Sequence, residues 1–258
     1  MNSNVSLSTG RGLADCHSPL NFRSAGRTDR GRVRKLNEDA FLENGPAGLW
    51  AVADGMGGHD SGDFASALVI QRLSRIAGAD STYALRTIVA RELAGANEAL
   101  LSESTRKSRG QMGATVAVMA VCNGYYSCTW AGDSRVYLLR RGRLRRITSD
   151  HSLVQSLIDA GEISQEEARH HSRAHIVTRA IGAGPELHLE TTHGELERGD
   201  RFLLCTDGLT SVLSDDEILG LIAASDPECA VEGLVSKTLS NGAPDNVTAV
   251  LVDVSAAD

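Results

Sequence analysis

Trp50-Ala-Val-Ala-Asp54-Gly55 is a short apolar run that ends in Asp-Gly. The run is typical of a buried strand, and Asp-Gly is typical of a turn, because Asp bonds its own backbone and Gly accepts positive φ. Phe202-Leu-Leu-Cys-Thr-Asp207-Gly208 repeats this arrangement, and Thr129-Trp-Ala-Gly-Asp133-Ser134 ends a third run with an aspartate. The sequence therefore places an aspartate at the end of three predicted strands.

Apolar periodicity around these runs predicts a layered domain. Residues 65–76 and 85–101 have apolar positions at helical spacing, and 153–160 forms a shorter helical stretch. Ser214-Asp-Asp-Glu217 is a capping box and Asp226-Pro227 is a helix start, so helices are expected after both. Strands are predicted at 49–53, 115–121, 125–131, 135–139, 201–205 and 247–254. Helices, a block of strands, helices and a last strand favour an α+β domain over a βαβ type.

Composition and charge limit the classes to which the protein can belong. The 258 residues are 41% hydrophobic and carry a net charge of −7, which argues against a bulk nucleic-acid binder. The longest apolar run, 114–122, has nine residues, about half of what a membrane span needs. Residues 1–21 are rich in Ser, Asn and Gly and lack an apolar stretch, so we expect a loose tail followed by one domain over 22–258. We also expect a cytoplasmic monomer that binds neither nucleic acid nor membrane.

Two compositional features have competing interpretations. The basic run Arg140-Arg-Gly-Arg-Leu-Arg-Arg146 fits either a nucleic-acid patch or a solvated hairpin tip with Gly142 at its turn, and the hairpin is favoured. The five cysteines are odd in number and include no Cys-x-x-Cys pair. Free thiols in a reducing compartment are therefore favoured over a disulfide framework or a zinc ribbon.

Two further acidic positions stand directly before predicted strands. They are Pro244-Asp245-Asn246 and Asn37-Glu38-Asp39. Any one of the five acidic sites is best explained as a turn, but together they would form a carboxylate cluster if the strand ends met at one rim. Such a cluster repels itself unless cations neutralise it. Oxygen ligands favour Mg²⁺ or Mn²⁺, and two such ions that share a carboxylate suit in-line displacement at phosphorus.

Seven short motifs lie between residues 29 and 254, which is nearly the whole chain. They are Asp29-Arg-Gly-Arg-Val-Arg34-Lys-Leu-Asn-Glu38-Asp39, Val52-Ala-Asp54-Gly55-Met-Gly-Gly-His59, Met112-Gly-Ala-Thr115, Ala131-Gly-Asp133-Ser134-Arg135, Thr148-Ser-Asp150-His151-Ser152, Cys205-Thr-Asp207-Gly208 and Asp245-Asn246-Val-Thr248. In this order they resemble the metal-dependent PP2C-type (PPM) protein serine/threonine phosphatases, in their compact bacterial form.

The resemblance implies a four-layer α-β-β-α sandwich, in which two antiparallel sheets are flanked by helices and two metal ions occupy a cleft at one end. Asp54 would bridge both ions. The carbonyl of Gly55 would join it on one ion, and Asp207 and Asp245 would bind the other. The ions would be Mn²⁺ or Mg²⁺, and a hydroxide formed from their bridging water would attack phosphorus directly, without a phosphoenzyme.

The resemblance also assigns roles around this core. Glu38 and Asp39 would hold metal-bound waters, and Asp133, with Asp207, would bind a weaker third ion. Arg34 would bind the substrate phosphate, since a guanidinium presents a fork to two phosphate oxygens. The Cys-x₅-Arg loop of cysteine phosphatases is absent from the sequence, so Cys205 is expected to be core packing and not a nucleophile.

The proton donor and the histidines of residues 151–185 each have two alternative interpretations. Animal members carry a histidine directly after the Asp-Gly, where this chain has Met56. His59 is one candidate acid, because histidine titrates near neutral pH; alternatively it caps or packs the next helix and a metal-bound water is the acid. Residues 151–185 match a mobile flap of the family. Its four histidines fit a metal cluster or a solvated helix, and the solvated helix is favoured.

The expected partners are phosphorylated proteins, above all the substrates of a partner Ser/Thr kinase and the kinase itself. Two alternatives remain open. One is a catalytically weak phosphoprotein-binding regulator of the same fold, against which the intact carboxylate set argues. The other is a two-metal nuclease or small-molecule phosphoesterase, which fits neither the acidic net charge nor the full order of motifs.

Overall fold

The computed structural model describes residues 20–57, 61–107, 112–169 and 171–256. Within them the strands are β1 Leu20–Asp29, β2 Asp39–Asn44, β3 Leu49–Gly57, β4 Met112–Ala114, β5 Val116–Cys122, β6 Tyr125–Ala131, β7 Arg135–Arg140, β8 Arg143–Arg146, β9 Glu190–Glu195, β10 Arg201–Cys205 and β11 Val247–Ala256. The helices are α1 Gly62–Leu73, α2 Thr82–Lys107, α3 Leu153–Asp159, α4 Gln165–Arg169, α5 Asp207–Thr210, α6 Asp215–Ile222 and α7 Pro227–Ser240, with a 3₁₀ turn at Gly45–Ala47.

Two antiparallel sheets form the centre of the molecule. The first sheet has the order β1-β11-β10-β7-β8, and the second has the order β2-β3-β5-β6-β9, with β4 paired to β3. Every strand pairing is antiparallel. The first and last described strands, β1 and β11, lie side by side and pair over ten positions.

Three apolar clusters separate four layers. Trp50 and Phe202 are fully buried between the two sheets. Val69 of α1 and Leu93 of α2 pack on the outer face of the second sheet, and Leu234 of α7 packs on the outer face of the first. Burial of these side chains stabilises the layers by roughly 1.5–3 kcal/mol each. The predicted α-β-β-α sandwich is confirmed.

Local sequence signals explain where several helices begin. Ser214 Oγ accepts a hydrogen bond from the Glu217 N–H at 3.3 Å, and the Glu217 carboxylate accepts one from the Ser214 N–H at 3.0 Å. This capping box opens α6 as predicted. Asp226 likewise caps α7, because its carboxylate accepts a hydrogen bond from the N–H of Cys229 at 2.9 Å.

Apolar periodicity did not reveal two edge strands, β1 and β9. In β1, the exposed Arg23 and the half-buried Arg27 pair with Glu228 and Glu232 of α7, so the strand looks polar in sequence. β1 begins at Leu20, so the last two residues of the predicted tail belong to a strand. Residues 1–19 lie outside the described part of the chain.

The basic run forms the predicted hairpin tip. Gly142 has φ of 75° and Arg141 has φ of 52°, which is the left-handed geometry of a tight hairpin turn. Arg140 pairs with Asp200 at 2.6 Å and Arg141 pairs with Glu197 at 2.7 Å, so acidic neighbours neutralise part of the run. The described cysteines are free thiols. None of the described helices combines the length and apolar character that a membrane crossing requires.

Candidate metal centre

Strand ends bring the predicted acidic residues to one end of the sandwich. β2 begins at Asp39, which lies opposite Asp54 of β3 in the second sheet. In the first sheet, β10 ends just before Asp207 and β11 begins just after Asp245. Asp133 lies in the turn between β6 and β7. The two sheets therefore contribute their carboxylates to the same rim.

The electrostatics of Asp54 show that these carboxylates are close together. Burial is the largest cause that raises the pKa of Asp54 well above its ordinary value. The charges of Asp39, Asp207, Asp133 and Asp245 raise it further. Asp54 and Asp207 are near neighbours, since each affects the pKa of the other.

The other buried aspartates are perturbed in the same direction. Desolvation raises the pKa of Asp39 to about 7 and that of Asp133 to about 8, and the charge of Asp207 adds to both shifts. Desolvation, followed by the charge of Asp245, also raises the pKa of Asp207. Burial and mutual repulsion therefore disfavour the charged forms of Asp39, Asp54, Asp133 and Asp207 unless cations neutralise them.

The donor atoms fit hard divalent cations. Asp39 Oδ2 accepts hydrogen bonds from Thr206 Oγ1 at 2.8 Å and Thr248 Oγ1 at 2.7 Å. Its other oxygen, Oδ1, is buried without a hydrogen-bond partner among the described residues, an arrangement that suits a cation or its water. As the described side chains stand, no three acidic, histidine or cysteine groups form a ready-made set around an ion. The case for a cation therefore rests on the electrostatics and the all-oxygen donor set.

The glycines of both Asp-Gly pairs serve close packing rather than a turn. A Cβ on Gly55 would overlap the carbonyl oxygen of Gly62, and a Cβ on Gly208 would overlap that of Asn246. Neither glycine has a positive φ. Asp207 opens the short helix α5 instead of a turn. The turn interpretation of these pairs is therefore wrong, and only glycine fits because other backbone segments lie against it.

Glu38 lies beside the start of α1. Its carboxylate lies against the backbone of Gly62, and burial raises its pKa despite the opposing effects of the Arg34 charge and of that backbone. A Cβ on Gly62 would also overlap a Glu38 carboxylate oxygen. The start of α1 therefore holds this acidic side chain next to the backbone of Gly55.

Arg34 lies at the same rim. Its Nη2 donates to Asp245 Oδ2 at 2.6 Å, and 49% of the Arg34 side chain is exposed. This bond is the largest cause that raises the pKa of Arg34. A guanidinium has five N–H donors, so the bond to Asp245 uses only part of its capacity.

Asn246 holds the loop that carries Arg34. Asn246 Nδ2 donates to the carbonyls of Arg30 at 2.8 Å and Leu36 at 2.9 Å, and its Oδ1 accepts the N–H of Glu38 at 2.8 Å. Asn246 is only 4% exposed. No role for Asn246 was predicted from the sequence. The sequence signal for this role is the position of the amide, which can both donate and accept hydrogen bonds, between Asp245 and the strand β11.

Thr115 is a second residue whose role was not predicted from the sequence. Its Oγ1 accepts the N–H of Asp54 at 3.3 Å and lies 2.7 Å from Ser134 Oγ, while its own N–H donates to the Asp54 carbonyl at 2.8 Å. Ser134 follows Asp133 in the chain. Thr115 therefore links the backbone of Asp54 to the turn that carries Asp133.

His151 anchors the segment 151–185 beside the rim. Its Nδ1 accepts the N–H of Gly132 at 3.1 Å, its ring stacks on Trp130, and its carbonyl accepts the N–H of Thr178 at 2.8 Å. Burial is the largest cause that lowers its pKa. His151 is thus a packed structural residue, contrary to the expectation of a solvated one. Within the described residues no histidine group could hold a metal ion.

Three expectations have different outcomes. His59, the candidate acid, lies outside the described residues, as does His170. Met56 lies in β3, two residues after Asp54. Cys205 is fully buried in the core under α5 and α7, and burial raises its pKa to about 12, which disfavours a nucleophilic thiolate.

A family model and a curated relative both match most of this chain. The family model described as Protein phosphatase 2C matches residues 28–253. A curated relative, the serine/threonine protein phosphatase PstP of Mycobacterium tuberculosis, is 37% identical over 236 residues, which cover 91% of this chain and 45% of the relative. This chain therefore spans about half the length of that relative.

Two solved structures are similar over nearly their full length. One is described as PppA, a key regulatory component of T6SS in Pseudomonas aeruginosa, with 44% identity and a TM-score of 0.85; the match covers 91% of this chain and 98% of that one. The other is the catalytic domain of the serine threonine protein phosphatase PstP in complex with two manganese ions. It has 37% identity and a TM-score of 0.82, and the match covers 92% of this chain and 100% of that one.

Proposed function

Because the chain belongs to the protein phosphatase 2C family, we propose that it hydrolyses phosphoserine and phosphothreonine in proteins. The observation that carries the proposal is the convergence of five carboxylates, beside one arginine, at a single end of the sandwich. Carboxylates bind divalent ions and a guanidinium binds phosphate, so the rim offers both groups that phosphoryl transfer to water requires.

Two Mn²⁺ or Mg²⁺ ions are the proposed cofactors of the core site. Asp54 would contact both ions, and the Gly55 carbonyl, Asp207 and Asp245 would complete the protein ligands. When bound, the ions would activate a water for direct attack on phosphorus and neutralise charge on the phosphoryl oxygens. The all-oxygen donor set and the two manganese ions in the similar PstP structure support this proposal.

The remaining acidic residues have supporting roles in the proposal. Glu38 and Asp39 would hold waters of the core ions, and the unpartnered Oδ1 of Asp39 is suited to that role. Asp133 would bind a weaker third ion together with Asp207. Desolvation and the charge of Asp207 raise the pKa of Asp133, and a cation between the two would relieve this repulsion.

Arg34 would bind the phosphate of the substrate. Its contact with Asp245 holds the guanidinium at the rim, and its remaining N–H groups suit two phosphate oxygens. His59 is the proposed acid for the departing alkoxide, because an imidazole can give up a proton near neutral pH. The proposed substrates are those of a partner Ser/Thr kinase, in a monomeric cytoplasmic enzyme.

The test of this proposal is phosphate release from a phosphothreonine peptide by the full chain, with Mn²⁺ and with excess EDTA. We expect repeated turnover with Mn²⁺ and none with EDTA. A catalytically weak regulator would instead bind the peptide stoichiometrically and release no phosphate, even from p-nitrophenyl phosphate. Full turnover in EDTA would contradict the role of the ions.

A further inference from the structure

The loop of residues 30–36, which we call the basic loop, concentrates positive charge beside the rim. Arg30, Arg32, Arg34 and Lys35 all lie on it and are exposed, in a chain whose net charge is −7. Val33, at the centre of the loop, is 69% exposed. The loop therefore presents cations and an apolar side chain next to the group proposed to hold the phosphate.

Three of these cations lack an acidic partner. Arg34 pairs with Asp245, but among the described residues no carboxylate oxygen lies within 4.0 Å of the charged groups of Arg30, Arg32 or Lys35. The basic hairpin tip differs, because there Arg140 has Asp200 as its acidic partner. The charge of the basic loop is thus available to a molecule that reaches the rim.

The basic loop is held in one shape at its base. A single amide nitrogen, Asn246 Nδ2, bonds both the Arg30 carbonyl and the Leu36 carbonyl, so the two ends of the loop meet. The N–H of Arg32 also donates to the Ala243 carbonyl at 2.9 Å. A fixed backbone lowers the conformational entropy lost when a ligand binds, because only side chains remain to be ordered.

We propose that the basic loop is a docking surface for Asp and Glu side chains that flank the phosphorylated residue of the substrate. This rests on the proposed function, which places the phosphate on Arg34. Successive residues of an extended substrate are about 3.3–3.6 Å apart, so neighbours of the phosphoresidue come within reach of Arg32 and Lys35. The preferred substrates are therefore phosphoserine and phosphothreonine in acidic sequences.

Docking through exposed charges has a characteristic effect on the kinetic constants and on their salt dependence. Contacts between exposed charges are individually weak and are screened by salt. They act on encounter and on ground-state binding, so kcat/KM changes more than kcat. A substrate without flanking residues, such as p-nitrophenyl phosphate, does not reach Arg32 or Lys35 and is insensitive to both.

The experiment compares two phosphothreonine peptides, one with Asp at the positions flanking phosphothreonine and one with Gln there. The double variant Arg32→Gln/Lys35→Gln is tested beside Arg143→Gln/Arg145→Gln, which removes two positive charges from exposed residues of the hairpin β7–β8. We expect the native chain to prefer the Asp peptide by about three- to tenfold in kcat/KM at low salt. Only Arg32→Gln/Lys35→Gln should abolish this preference, with turnover of p-nitrophenyl phosphate unchanged.

Each other outcome overturns the proposal. Equal kcat/KM for the two peptides in the native chain would exclude acidic docking while leaving the phosphatase function intact. An equal loss in both double variants would show an effect of net charge alone. No phosphate release from either peptide, with Mn²⁺ present, would remove the proposed function and the docking surface with it.

Discussion

The carboxylates of the candidate metal centre are held by different neighbours. Two threonine hydroxyls bond one oxygen of Asp39, the Arg34 guanidinium bonds Asp245, and Asp54 and Asp207 are near neighbours. Holding these side chains together has a cost, because burial and then mutual repulsion raise the pKa of Asp54 and Asp207. The same grouping of carboxylates that favours cation binding therefore destabilises the cation-free protein.

Replacing Asp207 tests this opposition through activity. Asp207→Asn keeps the shape of the side chain but removes a ligand charge, so kcat/KM for a phosphothreonine peptide should fall at least the roughly 10–100-fold that follows loss of an outer-shell partner. The melting temperature without metal should stay equal or rise, because repulsion is relieved. The matched control is Asp216→Asn on the exposed face of α6, which should leave both quantities unchanged. Unfolding of Asp207→Asn would assign Asp207 a structural role instead.

The pH dependence of stability tests Asp133. Its pKa is raised from 3.8 to about 8 by burial, so between these values the folded metal-free protein binds a proton that the unfolded chain does not. Stability from this residue therefore falls as pH rises through that window. In EDTA, Asp133→Asn should melt at higher temperature than the native chain at pH 8, by at least about 2–4 °C, with the difference shrinking toward pH 4. A difference that does not vary with pH would contradict the raised pKa.

At the scale of elements, hydrogen bonds connect the end of β10 and the start of β11 to the basic loop and to the start of β2. Asn246 reaches the loop from the start of β11, and Thr206 reaches Asp39 from the end of β10. The side chains that anchor these elements are polar, buried and placed at strand ends. Loss of one anchor should therefore loosen the basic loop, which is proposed to bind substrate, rather than the core.

Asn246→Ala measures the contribution of this anchor. It removes three hydrogen bonds at a buried position, so the free energy of unfolding should fall by about 2–3 kcal/mol. KM for a phosphopeptide should rise more than kcat falls, because Arg34 loses its fixed loop. Asn241→Ala, at the exposed end of α7, is the matched control and should change neither. Unchanged stability and KM in Asn246→Ala would show that the loop holds its shape without this residue.

Sequence signals that lie within a few residues predicted several elements correctly. They did not predict contacts between elements that are distant in sequence. The capping box at Ser214 and the cap at Asp226 are local, so both helix starts were predictable. β1 is an edge strand whose arginines pair with α7, so its pattern lacks the apolar alternation of a half-buried strand. The roles of Gly208 and Asn246 depend on segments far away in sequence, and no periodicity reveals such contacts.

At the scale of the whole molecule, the site depends on how the two sheets stack. Asp39 and Asp54 belong to the second sheet, whereas Asp207 and Asp245 flank strands of the first. The core between the sheets, which includes Trp50, sets the distance between these pairs. The sequence indicated acidic strand ends, but their meeting at one rim follows only from the packing of both sheets.

Calorimetric titration of the metal-free chain with Mn²⁺ tests most directly whether this rim is a metal centre. Two tight ions per chain are expected, with a weaker third that disappears in Asp133→Ala. Asp54→Asn should lose tight binding, because Asp54 is the carboxylate that both core ions would share. Absence of tight Mn²⁺ binding to the folded native chain, or tight binding unchanged in Asp54→Asn, would contradict a metal centre built on these aspartates.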